Sequence, residues 1–236
     1  MNREVVFDTE TTGLEPKTAD NPNGHKIIEV AGLELIDHVP TGNTFHAYIN
    51  PKRDIPEESR KIHGLTNEFL KDKPMFSSIE EDLFLFLGES PLIIHNADFD
   101  LKFLEAEIAP KNRDKFDSLK GNTIDTLKLS RRKRPDLKSH SLDNLGIKLD
   151  IDMTGREKYH GALIDCNILA LVYFELINGQ KQKLMFDDKS YTGSSELKKT
   201  IINSRDRPLD TRITREEIEE HKNFIRSICG EKKWSY

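Results

Sequence analysis

Apolar and polar positions follow two different periods along this chain. Near the N-terminus, short β-prone or alternating runs predict strands over residues 4–7, 27–37 and 44–49. A loop is predicted over residues 17–25, which contain Pro22, Gly24 and two Asn. Three strands joined by short turns predict an antiparallel meander.

From residue 56 onward, helical spacing alternates with compact apolar runs. Helices are predicted over residues 56–61, 78–87, 98–108, 141–145 and 162–177, and strands over residues 91–95 and 122–126. The helix over residues 162–177 has the broadest apolar face. The predicted elements begin with three strands and continue with helices that alternate with further strands. This order predicts an α/β fold with a mixed sheet flanked by helices.

Composition narrows the class of protein further. The chain has 236 residues, enough for one good-sized domain and an additional segment. No apolar run approaches the roughly 20 residues of a membrane span, and the N-terminus lacks a signal peptide's apolar region. Cys166 and Cys229 make no disulfide framework, so we expect a cytoplasmic protein. The net charge of −5 argues against a broad basic face for nucleic acid.

The composition changes after Asn178-Gly179. We therefore predict a folded domain over residues 1–178, a flexible linker over residues 179–208 and a partner-binding segment over residues 209–236. The polar linker would reach about 30 Å if it is flexible. Within the last segment, residues 214–228 are predicted to be helical, with Thr214 as N-cap and Glu217 at the capping-box position.

Asp8 and Glu10 stand two residues apart at the end of the first predicted strand. Residues i and i+2 of a strand point to the same face. At about 4 Å, two like charges repel by about 1 kcal/mol in water and by about 4 kcal/mol at an effective dielectric of about 20. A hard divalent cation such as Mg²⁺ or Mn²⁺ relieves this repulsion. The alternative is a strand-end turn whose Asp and Thr side chains cap the next segment of the chain.

A second polar group, His95-Asn96-Ala97-Asp98-Phe99-Asp100, comes after the strand predicted at residues 91–95. Asp98 stands where a helix N-cap is expected, so capping is its expected role. The side chain of Asp100 is expected to point back toward the edge of the sheet. The alternative is that it caps the N-terminus of the helix.

The third group contains His160, Gly161 and Asp165. Five residues on a helix turn through about 500°, so His160 and Asp165 cannot share a helical face. They converge only if His160 lies on the approach and Asp165 about one turn inside, a path that Gly161 eases. A buried Asp165 would need a partner or a metal. The alternative is a partly exposed helix Asp and a loop His.

In their order, the three groups resemble the motifs of the DEDDh 3′→5′ exonuclease superfamily: Asp-x-Glu, then His-Asn-Ala-x-Phe-Asp, then His-x4-Asp. Residues 7–14 (FDTETTGL), 63–70 (HGLTNEFL) and 159–173 are similar to the DnaQ family, which comprises the epsilon subunits of bacterial DNA polymerase III. The resemblance covers residues 4–178 and, more loosely, the tail.

This resemblance implies an RNase H-like sheet and a role for each residue of the motifs. Asp8, Glu10 and Asp165 would bind two Mg²⁺ or Mn²⁺ ions, and Asp100 would complete the cluster. His160 would be the general base that takes the proton of the attacking water, a role that suits its ordinary pKa.

The resemblance also implies a substrate and partners. Glu58 and His63 would contact the terminal nucleotide, although His63 also fits a helix end. The expected substrate is a single-stranded or mispaired DNA 3′ end, cut to 5′ mononucleotides during proofreading. The expected partners are the catalytic alpha subunit, bound by the C-terminal segment with Trp234 as an aromatic anchor, and a small theta-like subunit. Residues 182–186 (Gln-Lys-Leu-Met-Phe) resemble a sliding-clamp peptide.

Two other functions fit parts of the sequence. An RNA-trimming exonuclease of the ribonuclease T or oligoribonuclease kind would share the motifs, but residues 180–236 would have no purpose in it. A non-catalytic subunit that stabilises the polymerase would not need all the acids and His160. The basic run Arg131-Arg132-Lys133-Arg134 either tracks DNA phosphates or is a solvated charge run.

Overall fold

A computed structural model describes residues 2–156, residues 159–178 and the single residue Glu219. Five strands form one mixed sheet: β1 (Arg3–Thr11), β2 (Ile27–Ile36), β3 (Val39–Tyr48), β4 (Leu92–Ile94) and β5 (Thr123–Asp125). Their order across the sheet is β3-β2-β1-β4-β5. β2 pairs antiparallel with both β1 and β3, whereas β4 pairs parallel with β1 and β5. The predicted α/β class and mixed sheet are confirmed.

Helices come after the three-stranded meander. They are α1 (Glu57–His63), α2 (Asn67–Leu70), α3 (Phe76–Leu87), α4 (Ala97–Glu107), α5 (Arg113–Gly121), α6 (Thr126–Lys133), α7 (Leu142–Lys148) and α8 (Ala162–Asn178). The pattern of apolar positions does not predict α2, α5 or α6, whereas the other five helices lie within a few residues of their predicted bounds.

The two faces of the sheet bury two separate cores, as the two-residue period of a strand requires. On one face, Val5 and Phe7 pack with residues of α3, α4 and α5. On the other face, Val6 and Ala31 pack with residues of α6, α7 and α8. Alternate residues of β1 therefore point toward opposite helical layers, and α8 lies against β1 and β2.

The strand bounds differ from the sequence prediction at two places. β1 continues past residue 7, and its pairing with β2 continues to Thr11, so Asp8 and Glu10 lie inside a paired strand and not in a terminal turn. β3 begins at Val39 and not at residue 44, because Asp37 and His38, with φ of 48° and 69°, close a tight hairpin. Residues 12–26 connect β1 to β2, and they include the loop that the sequence predicts over residues 17–25.

The predictions for the linker, the clamp peptide and the C-terminal segment fall outside the described residues, apart from Glu219, which is helical. Among the described helices, none combines the length and the apolar character that crossing a bilayer requires. The cytoplasmic location stays a prediction.

Candidate active site

Asp8 and Glu10 project from β1 toward α8, on the same side as Val6. β1 is the central strand, and β4 runs parallel to it, so the C-terminal ends of both strands meet at one edge of the sheet. The chain therefore brings two carboxylates to the edge where β4 leads into α4.

Asp165 reaches the same place from the first turn of α8 and is 4% exposed. The thiol of Cys166 donates to the carbonyl oxygens of Val6 and Ala31, at 3.7 and 3.6 Å, which holds the start of α8 on the sheet. One ligand atom each from Glu10, His160 and Asp165 lies within 4.8 Å of the others. That spacing suits a divalent cation.

His160 lies on the approach to α8, in the position that convergence with Asp165 requires. Its backbone N–H donates to the carbonyl of Ile62 at 2.9 Å. Its Nδ1 is 3.9 Å from Oδ2 of Asp165. His160 lies outside α8, but Asp165 is buried, so the alternative of a partly exposed helix Asp does not hold.

Asp100 joins the site from α4 and is 3% exposed. The hydroxyl of Thr9 donates to its Oδ1 at 2.7 Å. Asp98 does not cap α4, contrary to expectation: the N-cap residue is Asn96, with φ of 65°. Asp98 is exposed in the first turn, where it pairs with Lys128 at 3.3 Å, because the helix begins one residue before it.

The carboxylates are crowded enough to disfavour their charged forms. Burial, together with repulsion from the neighbouring acids, holds the pKa of Asp8 well above its ordinary value. Burial and then Asp165 and Glu29 raise the pKa of Glu10 to about 8. Burial raises the pKa of Asp100 to about 7, against the hydrogen bond from Thr9. A bound cation would relieve this repulsion, so the donor set fits a divalent metal.

Arg156 is part of the site, and no motif predicts it. Its guanidinium forms two bonds to Asp165, from Nε at 2.6 Å and from Nη2 at 2.9 Å. Both side chains are buried, at 7% and 6% exposed. Arg156 also pairs with Asp143 and donates toward Nδ1 of His160 at 3.3 Å. Its guanidinium neutralises Asp165 in this structure.

His63, the last residue of α1, has a buried ring with one nitrogen unpaired. The N–H of Leu65 donates to Nδ1 at 3.0 Å, so the neutral ring carries its proton on Nε2. That Nε2 has no hydrogen-bond partner among the described residues. Burial, with the nearby His160, lowers the pKa of His63 to about 4, so the ring is neutral at physiological pH.

Glu58 is exposed and lines a cavity of about 440 Å³ beside the end of β1. Thr12, Leu14 and Ile62 line the same cavity. Its volume falls within the range of small-molecule sites. The structure thus places Glu58 beside the continuation of the strand that carries Asp8 and Glu10.

The basic run lies at the C-terminal end of α6 and just beyond it. Arg131, Arg132 and Lys133 are exposed, and Arg134 pairs with Asp136 at 2.9 Å. This position does not distinguish a run that contacts DNA phosphates from a solvated charge run.

The chain is similar to known proteins over most of its length. A family model described as an exonuclease matches residues 5–173. The DNA polymerase III subunit epsilon of Rickettsia felis is 41% identical over 228 residues, which covers 96% of this chain and 96% of that protein. The subunit of the same name from Buchnera aphidicola subsp. Baizongia pistaciae is 39% identical, covering 98% of this chain and 94% of that protein.

Solved structures share the fold. Exonuclease X in complex with 5′ overhanging duplex DNA is 27% identical with a TM-score of 0.57, over 76% of this chain and 93% of that chain. The nuclease domain of 3′hExo, a DEDDh family member bound to rAMP, is 19% identical with a TM-score of 0.62, over the same shares of the two chains.

Proposed function

The chain belongs to the DNA polymerase III epsilon subunits within the exonuclease family and is a 3′→5′ proofreading exonuclease, and we propose that Asp8, Glu10 and Asp165 hold the divalent metal of its reaction. The observation that carries the proposal is that ligand atoms of Glu10, His160 and Asp165 lie within 4.8 Å of one another, with Asp8 two residues from Glu10 on the same face of β1. The substrate is a single-stranded or mispaired DNA 3′ end, and the product is a 5′ mononucleotide.

The donor chemistry favours Mg²⁺ or Mn²⁺, because these cations prefer oxygen ligands. Two such ions, when bound, supply a Lewis acid that polarises the scissile phosphate and eases ionisation of the attacking water. Asp100, held by Thr9, completes the negative cluster behind Asp8 and Glu10.

His160 serves as the general base and accepts a proton from the attacking water. Burial and the Arg156 guanidinium lower the pKa of His160, which keeps the imidazole unprotonated and able to accept a proton. Arg156 donates toward Nδ1 of that ring, so the neutral ring carries its proton on Nε2, and Nδ1 becomes free to accept the proton of the water when Arg156 withdraws. Arg156 also occupies both oxygens of Asp165. A cation on Asp165 competes with the guanidinium for the same oxygens, so we expect Arg156 to leave Asp165 as the site fills.

His63 and Glu58 hold the terminal nucleotide. The unpaired Nε2–H of His63 is a buried donor, and such donors carry a cost unless a ligand satisfies them. The cavity beside Glu58 has room for a nucleoside, with apolar contacts from Leu14 and Ile62.

Membership in the family implies a polymerase partner. We propose that the protein binds the catalytic alpha subunit through residues 209–236, contacts a sliding clamp through residues 182–186 and binds a small theta-like subunit. The match to the relative from Rickettsia felis covers 96% of the chain, which supports a shared role for the tail. Truncation after Asn178 should retain cleavage and abolish co-purification with alpha; a truncated chain that still co-purifies would refute the tail assignment.

The test of the chemistry is digestion of a 5′-labelled primer–template with a 3′ mismatch, in Mn²⁺ or in chelator. We expect a metal-dependent ladder that shortens from the 3′ end and is absent in Asp8→Ala. Asp98→Ala is the matched control, because it removes an exposed acid from the neighbouring helix, and its ladder should resemble the wild type. Shortening of an RNA oligomer but not of DNA would contradict the DNA assignment.

A further inference from the structure

Glu29 and His46 form a pair beside the candidate metal site that none of the motifs includes. The register pairs Glu10 with Glu29 and Glu29 with Tyr48, so these residues form one row across β1, β2 and β3. Opposed residues of an antiparallel pair project to the same face with Cβ atoms about 5 Å apart. Glu29 therefore stands next to Glu10 on the face that bears Asp8.

The fold holds Glu29 in a fixed place. Its side chain is buried, and its Oε1 lies 2.7 Å from Nε2 of His46. The His46 ring packs edge-on against Tyr48, with centroids 4.8 Å apart. Tyr48 packs in turn against Phe69 at 4.9 Å. A buried carboxylate is costly unless it is paired, and the edge strand supplies the pairing group.

Glu29 adds a negative charge next to Glu10. The register places the two side chains beside each other on adjacent strands. A carboxylate at this place attracts a divalent cation that binds at Glu10. Glu29 lies on β2, one strand farther from β4 than Glu10, so this attraction needs no direct bond to the cation.

We propose that Glu29, held by His46, is a positioning residue that strengthens divalent-cation binding at Glu10 by adding negative charge next to it. Glu29 touches neither the substrate nor the reacting atoms and acts through Glu10. The inference rests on the metal site proposed above.

The test is calorimetric titration of Mn²⁺ alone into the metal-free, full-length protein. Glu29→Gln keeps the size of the side chain and an oxygen facing His46, and it removes the charge. We expect the Kd for Mn²⁺ to rise at least about fourfold, which is the effect of one charge about 10 Å from a divalent ion at the dielectric constant of water, about 80. Glu34→Gln is the matched control, because Glu34 is on the same strand but pairs with Arg3, and its Kd should stay within about twofold of wild type.

An unchanged Kd in Glu29→Gln would overturn the inference. The variant Asp8→Ala tests the metal site separately from the role of Glu29. Unchanged Mn²⁺ binding in Asp8→Ala would mean that the proposed metal site is wrong. His46 gives an independent check. His46→Gln keeps a donor for Glu29 and should bind Mn²⁺ like wild type, whereas His46→Ala releases Glu29 and should bind about threefold more weakly. Equal binding by the two His46 variants would overturn the role of the pair.

Discussion

Replacing Arg156 with Gln removes the cation that pairs with Asp165 and keeps a side chain of similar length. The two side chains are only 7% and 6% exposed, so the change leaves a buried carboxylate among other acids. Removing one partner of a buried ion pair costs about 3–5 kcal/mol. In a domain of this size, about 3 kcal/mol lowers Tm by about 6–12 °C. We expect a loss of that size in thermal unfolding followed by circular dichroism, with the protein in chelator.

Saturating Mn²⁺ should restore most of this loss, because the cation takes the place of the guanidinium on Asp165 and stabilises the folded state by mass action. Arg134→Gln is the control: its pair with Asp136 is exposed, and such pairs contribute about 0–1 kcal/mol. An equal fall in Tm with and without Mn²⁺ would refute the idea that metal and Arg156 compete for Asp165. No fall in chelator would refute the buried ion pair.

Three further predictions concern the substrate, pH and salt. His63→Gln should raise KM about fivefold and leave kcat within about threefold, because it disturbs one substrate hydrogen bond worth about 1 kcal/mol; a fall in kcat alone, in steady-state kinetics, would contradict this role. Because the pKa of Glu10 is raised to about 8 and that of Asp100 to about 7, the folded metal-free protein holds protons that the unfolded chain releases. The free energy of unfolding, measured by urea titration, should therefore fall as pH rises from about 6.5 to 8, with a contribution of at most about 2 kcal/mol from Glu10. A free energy that does not change with pH would be inconsistent with the crowding of these acids. If residues 131–134 contact DNA, replacing all four with Gln should make the binding of single-stranded DNA less sensitive to salt. The slope of the log binding constant against the log salt concentration should become less steep by about 0.7 for each phosphate that these cations neutralise. An unchanged slope would identify a solvated charge run.

The sequence predicts the elements whose apolar positions are regular. α8 carries a broad apolar face, and its observed bounds, Ala162–Asn178, match the prediction within one residue. α5 escapes prediction because Phe116 and Leu119 are its only buried residues. α6 escapes because basic residues fill its last turn, and its start depends on a cap by Asp125 that tertiary contacts place.

For the site, the motifs name the acids and His160 but not the groups that surround them. Arg156 lies outside α8, nine residues before Asp165, so no helical or strand period predicts their contact. Glu29 has only a partial signal in the sequence, since it is one of two carboxylates, with Glu34, in the mostly apolar strand β2. Its partner His46 is brought to it by the register of the next strand, which a single sequence does not specify.

The metal site is tested most directly by a crystal structure grown with Mn²⁺ and a nucleoside 5′-monophosphate, with the metal located by anomalous scattering. We expect anomalous peaks within about 2.5 Å of carboxylate oxygens of Asp8, Glu10 and Asp165. We also expect Arg156 to have left Asp165. Peaks elsewhere, or a guanidinium still paired with Asp165 at saturating Mn²⁺, would contradict the assignment of these residues as the metal site.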